Sequence, residues 1–279
     1  MANDATKGYF TFVLHGHLPY VLQHGTWPHG TDWLYEAATE TYLPLLDTFA
    51  RLWEAEIPIK AVLDITPVLA EQLGNDRFKE NLVDYLNLKI KAARENAKDF
   101  RAKGHIQMAD LADMWFDFYG GLLKKFVSQW SRDILWGLKI LQDEEELEII
   151  TSAATHGYLP LLKRDQSVEA QIRTGVEIYE KHFGKEPAGI WLPECGYRPS
   201  YAWTAPLGKE ITYTRKGIEE ILYENGIRYF FVDSHLIRGG KAIGTYMGRF
   251  EALKLLWERF EKEYTFNPGD KNLYYPYYV

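Results

Sequence analysis

The sequence predicts an α/β fold, either a β/α barrel or an open doubly wound sheet. Three observations carry this. Short apolar runs rich in β-branched and aromatic residues recur along the chain. Segments with apolar residues at three- and four-residue intervals separate them. Several of the runs end in a His, an Asp or a Glu. The repeating unit is strand, polar strand end, loop, helix. At 279 residues the chain can bury one large core, and no low-complexity linker divides it, so residues 1–279 read as one domain.

The first strand is expected over 9–14 and delivers His15-Gly16-His17-Leu18-Pro19-Tyr20. On extended backbone His15 and His17 point to the same face. A metal site, a substrate-hydroxyl site and a structural pair all fit this spacing. A long Gly- and Pro-containing connection follows with His24, Trp27, His29 and Trp33, and such loops are more often functional than decorative. Residues 32–55 repeat Trp33, Ala37, Tyr42, Leu45, Phe49 and Leu52 at helical spacing, and Pro44 is expected to kink or divide that helix. The second strand lies within 57–67. Asp64, near its end, either lines a pocket or caps the following turn, with the cap preferred.

Residues 68–142 read as helices over 69–73, 78–101 and 109–142, an insertion between the second and third strands. Trp115, Phe116, Phe118, Tyr119, Phe126, Trp130 and Trp136 lie on the last of these. Helical spacing is first a packing signal, so they are expected in the core. The third strand, 147–154, opens into Thr155-His156-Gly157-Tyr158-Leu159-Pro160. A helix over 168–183 stops at Gly184 and Pro187. Ile190-Trp191-Leu192 forms the next strand. Pro193 has no N–H for a ladder, so Glu194 lands where strand gives way to loop, flanked by aromatics that suit a sugar ring. A helix over 217–225 closes at Asn225-Gly226. The fifth strand, 227–232, ends in Asp233-Ser234-His235. The tail over 250–279 is rich in aromatics and shows no convincing further βα unit.

Composition narrows the function. The formal charge is -7 and Lys and Arg are scattered, so nucleic acid is not the expected main partner. Aromatics make up 15% of the chain, with 9 Trp and 19 Tyr, which fits carbohydrate binding and equally an aromatic-rich core. Cys195 is the single cysteine; no internal disulfide framework is available, and a reducing compartment is expected. Beside Glu194 it reads as a small residue packing behind the acid rather than a reactive thiol. Residues 1–8 lack a signal-peptide pattern and no apolar run reaches spanning length, so a cytoplasmic location without a membrane partner is expected.

If the strands are parallel, His15, His17, Asp64, His156, Glu194, Asp233 and His235 face one mouth. A carboxylate pair there can cleave or transfer a glycosyl unit. One acid protonates the leaving oxygen and the other attacks the anomeric carbon, with retention needing the two roughly 5–5.5 Å apart. His15, His17, Asp64, His156 and Asp233 are also ligand types for a metal-dependent carbohydrate deacetylase, though their spacing matches no closed zinc motif.

Four segments sharpen this: 15–20, Ala153-Ala154-Thr155-His156-Gly157-Tyr158-Leu159-Pro160-Leu161-Leu162, Trp191-Leu192-Pro193-Glu194-Cys195-Gly196-Tyr197-Arg198-Pro199, and Tyr229-Phe230-Phe231-Val232-Asp233-Ser234-His235. With 32–46, and in this order, they resemble glycoside hydrolase family 57, in particular its 1,4-α-glucan branching and amylase-like group, over nearly the whole chain. The resemblance implies an incomplete, distorted (β/α)7 barrel and a retaining double displacement on α-1,4-glucan, foremost the branching transfer. It implies Glu194 as nucleophile and His15, His17, His156, Asp233 and His235 along the donor subsite, with no metal and no cofactor. Trp33, Asp64 and Trp191 complete the candidate substrate-binding set. The family's general-acid segment, Asp-x-Glu-Leu-Phe-Gly-His-Trp-Trp, has no counterpart here, nor has its later helical domain. The chain therefore reads as the N-terminal part of such a barrel, with little activity expected of it alone unless Asp233 serves as the acid. A second polypeptide, self-association or a self-covered edge would complete the sheet. A non-catalytic glucan-binding or subunit role is the remaining alternative.

Overall fold

The computed structural model describes residues 8–204, 212–234, 236 and 275–279. His235 and all but the last five residues of the aromatic tail lie outside them. Five parallel strands form one open sheet in the order β1 (Val13–Gly16), β2 (Ala61–Ile65), β3 (Leu147–Ser152), β4 (Gly189–Trp191), β7 (Tyr229–Phe230). The α/β expectation holds, and among the described residues the barrel is not closed. All five expected strands are present. The first, however, starts late. Its pairing with β2 begins at Val13↔Val62, preceded by a single bond from the Val62 amide to the Phe12 carbonyl. Tyr9, Phe10 and Phe12 are exposed. β-propensity without a partner strand does not make a strand, so His15 sits inside β1 rather than beyond it.

The helices are α1 (Thr31–Ala37), α2 (Leu43–Glu54), α3 (Pro67–Leu73), α4 (Asp76–Ala102), α5 (Ile106–Ser128), α6 (Ile134–Asp143), α7 (Asp165–Phe183) and α8 (Ile218–Glu224). The division expected at Pro44 falls just before it. A π-helical turn, Ala38–Tyr42, joins α1 to α2, and Pro44 falls in the first turn of α2. The wider turn carries the backbone past the missing N–H. The helix expected over 109–142 is instead two helices. Ser131 and Arg132 take left-handed backbone between α5 and α6, and Asp133 caps α6 by accepting from the Trp136 amide at 2.9 Å. That same carboxylate binds Lys79 of α4 at 2.6 Å, which ties the insertion together. Of the aromatic stripe, Tyr119, Phe126 and Trp130 are buried, while Trp136 is exposed.

The core has two parts. The larger packs β1–β3 against α2–α6 and includes Leu46, Phe78, Leu82, Phe126 and Ile149. The smaller lies under β4 and joins Val168, Ile172, Ile190, Leu192, Ile218 and Ile221. Helix α7 comes so close to β3 that a Cβ on Gly175 would lie 2.2 Å from the Ser152 carbonyl oxygen. An antiparallel hairpin, β5 (Tyr201–Thr204) with β6 (Thr212–Arg215), follows the β4 loop and was not expected. Asp165, at the start of α7, anchors it by accepting from Arg198 at 3.1 Å, Arg215 at 2.9 Å and the Lys216 amide at 3.0 Å. Among the described residues no helix is long and apolar enough to cross a membrane.

Candidate active site

Because the strands are parallel, their C-terminal ends open on one side. Register places His15 beside Asp64 across β1–β2, and Ser152 beside Trp191 across β3–β4. The alternation of β1 sends His15 and His17 to one face. Their rings gather with His156 in a stack: His17 to His156 is 4.0 Å, His15 to His156 is 5.0 Å, and Trp191 lies 5.0 Å from His15. Phe231 backs Trp191 at 5.7 Å.

Glu194 reaches the same group through strained backbone. Leu192 is still extended, and Pro193 then forces a tight turn closed by the Cys195 amide on the Leu192 carbonyl at 2.8 Å. Glu194 and Cys195 are both left-handed, at φ 54° and 52°, and so is His156 at φ 56°. Such conformations cost non-glycine residues on the order of 1–3 kcal/mol each and concentrate at functional sites. The turn lifts the Glu194 side chain to 76% exposure and brings its Oε1 to 3.5 Å from His156 Nε2. Gly196 follows, and a Cβ there would meet the Tyr158 ring at 2.5 Å, so any larger residue must push that partly exposed ring aside.

Behind the stack each imidazole has one polar partner on its Nδ1. For His15 it is Asp64 Oδ2 at 2.5 Å, for His17 the Thr66 hydroxyl at 3.1 Å, and for His156 the Ser152 hydroxyl at 3.1 Å. Ser152 also donates to the Trp191 carbonyl at 2.8 Å. Burial lowers the basicity of all three rings. Glu194 partly offsets this for His15 and His17, and neighbouring His17 and His15 add to it for His156, which is pushed down to about 4. A neutral His156 makes its approach to Glu194 a polar contact rather than an ion pair. Burial also raises Asp64 well above the ordinary carboxylate range and raises the Cys195 thiol, the latter helped by the charges of Asp233 and Glu194. Those two carboxylates thus act on one sulfur from strand ends β7 and β4.

The mouth brings together His15, His17, His156, Trp191 and Glu194, with Asp233 at its edge. Two expectations for Asp64 need correction, and Trp33 stands apart from the stack. Asp64 does not cap α3, whose N-cap is Thr66. Asp64 is fully buried beneath His15, so it cannot touch a ligand directly. Trp33 lies on α1, and its ring contact is with His29 at 5.7 Å rather than with the stack. Ser152, Thr66 and Tyr158 were missed. The available signal was a lone hydroxyl or phenol at or just past the end of an apolar strand. Among the described residues no group of three or more His, Cys, Asp or Glu is placed to hold a metal.

The family model described as Glycosyl hydrolase family 57 matches residues 11–279. A 1,4-alpha-glucan branching enzyme of Thermococcus kodakarensis is 47% identical over 242 residues, covering 86% of this chain and 34% of that protein. The crystal structure of a branching enzyme from Thermococcus kodakaraensis, in complex with glucose and additives, superposes with a TM-score of 0.77 at 46% identity, over 84% of this chain and 41% of that one. A branching enzyme from Pyrococcus horikoshii gives a TM-score of 0.77 at 44% identity, over 82% of this chain and 42% of that one. The chain thus spans about a third of the curated relative's length, at 34%, and about two fifths of the solved ones, at 41% and 42%.

Proposed function

We propose that this chain, which belongs to glycosyl hydrolase family 57, carries the nucleophile half of a retaining α-1,4-glucan site whose main reaction is the branching transfer. The single observation behind this reading is Glu194: an exposed carboxylate on strained backbone, at the C-terminal rim of a parallel sheet, beside three stacked imidazoles. In the first step a Glu194 oxygen bonds to the anomeric carbon as the bond to the glycosidic oxygen breaks. That oxygen must receive a proton from a second acid. Asp233 is the chain's own candidate, and the remainder of the longer relatives is the other source. In the second step a glucan 6-hydroxyl attacks the anomeric carbon, its proton goes to the second group, and the ester to Glu194 breaks. His15, His17 and His156 offer hydrogen bonds to sugar hydroxyls, and Trp191 offers an aromatic face.

Residues 1–279 would then form the N-terminal part of the catalytic barrel. Either a second polypeptide or association of copies would cover the edges of the sheet. The single cysteine supports a reducing, cytoplasmic setting.

The test is an activated glucosyl fluoride carrying a second fluorine that slows hydrolysis of the trapped ester. Fluoride leaves without protonation, so the assay does not depend on the second acid. Peptide mass mapping should find the label on Glu194 and on no other residue, and Glu194→Gln should abolish it. A label on Asp233 or elsewhere would sink the assignment. Binding of maltotriose without any label would instead favour a glucan-binding role.

A further inference from the structure

We propose that Ser152 and Asp64 are positioning residues that give His156 and His15 opposite hydrogen-bonding senses, His156 Nε2 being an acceptor and His15 Nε2–H a donor. This rests on the glucan reading for its purpose but not for its evidence.

Consider His156 first. Ser152 has one hydroxyl hydrogen and two neighbours. The Trp191 carbonyl, at 2.8 Å, can only accept. The hydroxyl hydrogen is therefore committed to Trp191, and the Ser152 oxygen is left to accept from His156 Nδ1–H at 3.1 Å. A neutral imidazole protonated at Nδ1 has a bare lone pair at Nε2. That Nε2 is buried without a hydrogen-bond partner, in a side chain only 5% exposed, and Glu194 Oε1 stands 3.5 Å away. Two acceptors face each other there. Nε2 is not open to solvent, so a ligand hydroxyl reaches the orphaned nitrogen and donates to it only as the exposed Glu194 carboxylate, 3.5 Å away, swings aside; among the described residues no other group offers it a proton.

His15 is arranged the other way. Asp64 is wholly buried, its Oδ2 touches His15 Nδ1 at 2.5 Å, and its Oδ1 has no partner. Among the described residues no Lys or Arg pairs with it. The other groups around the pair are Tyr42, close to Asp64, and His17, His156 and Glu194 around His15. An ionised carboxylate with one naked buried oxygen is a costly arrangement, whereas a neutral carboxyl leaves only an unpaired C=O. The acid therefore keeps its proton and donates it to His15 Nδ1. His15 then carries its own proton on Nε2, the one ring nitrogen left for a ligand. The upward push on Asp64 and the downward push on His15, both from burial, agree in direction.

The two rings are 5.0 Å apart and nearly parallel. Such a donor and acceptor side by side suit neighbouring hydroxyls of a sugar, each of which both gives and takes a hydrogen bond. They suit a carboxylate or phosphate badly, because an anion would meet the bare Nε2 of His156 and the charge of Glu194.

The test is the tautomeric state of the histidines by long-range proton–nitrogen correlation on the ¹⁵N-labelled full chain near pH 7. The expected result is His156 protonated at Nδ1 and His15 protonated at Nε2, without any ligand. His156 found as the Nε2–H form, or His15 as the Nδ1–H form, overturns the proposal. Variants add a second line. Ser152→Ala should release His156 to the other tautomer and weaken maltotriose binding roughly three- to tenfold, while Ser152→Thr should restore both. An unchanged His156 tautomer in folded Ser152→Ala also overturns it. If the tautomers are as stated and maltotriose does not bind, the positioning roles are upheld and the glucan reading alone fails.

Discussion

Three non-glycine residues of the mouth, His156, Glu194 and Cys195, hold left-handed backbone. Glu194 is exposed, so removing its side chain loses little packing. Glu194→Gly should therefore stabilise the fold by about 1 kcal/mol in thermal unfolding, while abolishing the covalent label. An unchanged or lower midpoint would show that the turn is not strained. A second outcome concerns pH. His156 is pushed from 6.5 to about 4 by burial first and by His17 and His15 second. The unfolded chain then binds a proton that the folded one refuses between these values. The stability from a neutral His156 is complete above about pH 6.5 and is lost as pH falls toward 4, by roughly 3 kcal/mol at most. His15 and His17 have the same sign. Thermal scans from pH 7 to pH 4 should show this loss, and His156→Phe should flatten it. At this scale the sequence marked His15, His17, His156, Trp191 and Glu194, because a polar or aromatic group at a strand end is visible as a break in pattern. It did not mark Ser152, since a hydroxyl ending an apolar run looks like any turn. Nor did it place Asp64 below His15, because that depends on register between strands 49 residues apart in sequence.

Helix α7 connects the site to its support. Gly175 lets it press on β3, and Thr151 Oγ1 donates to the Gly175 carbonyl at 3.0 Å. Gly175→Ala must force the helix away from Ser152, the residue under His156. We expect a loss of about 1–3 kcal/mol in denaturant unfolding, together with altered chemical shifts at His156. Retained stability and shifts would mean the contact is slack. At the start of the same helix Asp165 holds Arg198 and Arg215, of which Arg215 is 1% exposed. Burial pushes Asp165 up, but the Lys216 amide and the two guanidinium groups bring it below the usual range. Asp165→Asn removes the counter-charge of two buried cations and should cost about 3–5 kcal/mol, loosening the hairpin before the sheet; hydrogen exchange at β5 and β6 reads this. The parallel strands and the long helices were legible from period alone. The hairpin was not, because each strand has only four residues and its anchor lies fifty residues upstream of Arg215 at Asp165. The π turn before Pro44 was equally invisible, since a proline reads as an interruption until the wider turn is seen to absorb it.

As a whole, the described sheet has β1 and β7 at its edges, and two unpaired edges invite partners. If the remaining part of the longer relatives completes the site, adding that part in trans should raise glucan transfer by roughly 10²–10⁴-fold, the usual contribution of a general acid. No gain on mixing, with full activity in the chain alone, would make Asp233 the acid instead. The fold class was plain from the alternation of patterns, whereas closure is a property of strand number and cannot be read from five strands. One further property belongs to the entire molecule. Its 279 residues contain a single sulfhydryl, Cys195, adjoining Glu194, and burial together with two carboxylates keeps that sulfur mostly protonated. Maleimide should thus modify the chain slowly and at one position, and more slowly still with maltotriose in place. Intact mass against time becomes a clock for occupancy, reporting from one residue beyond the proposed nucleophile without altering a single codon.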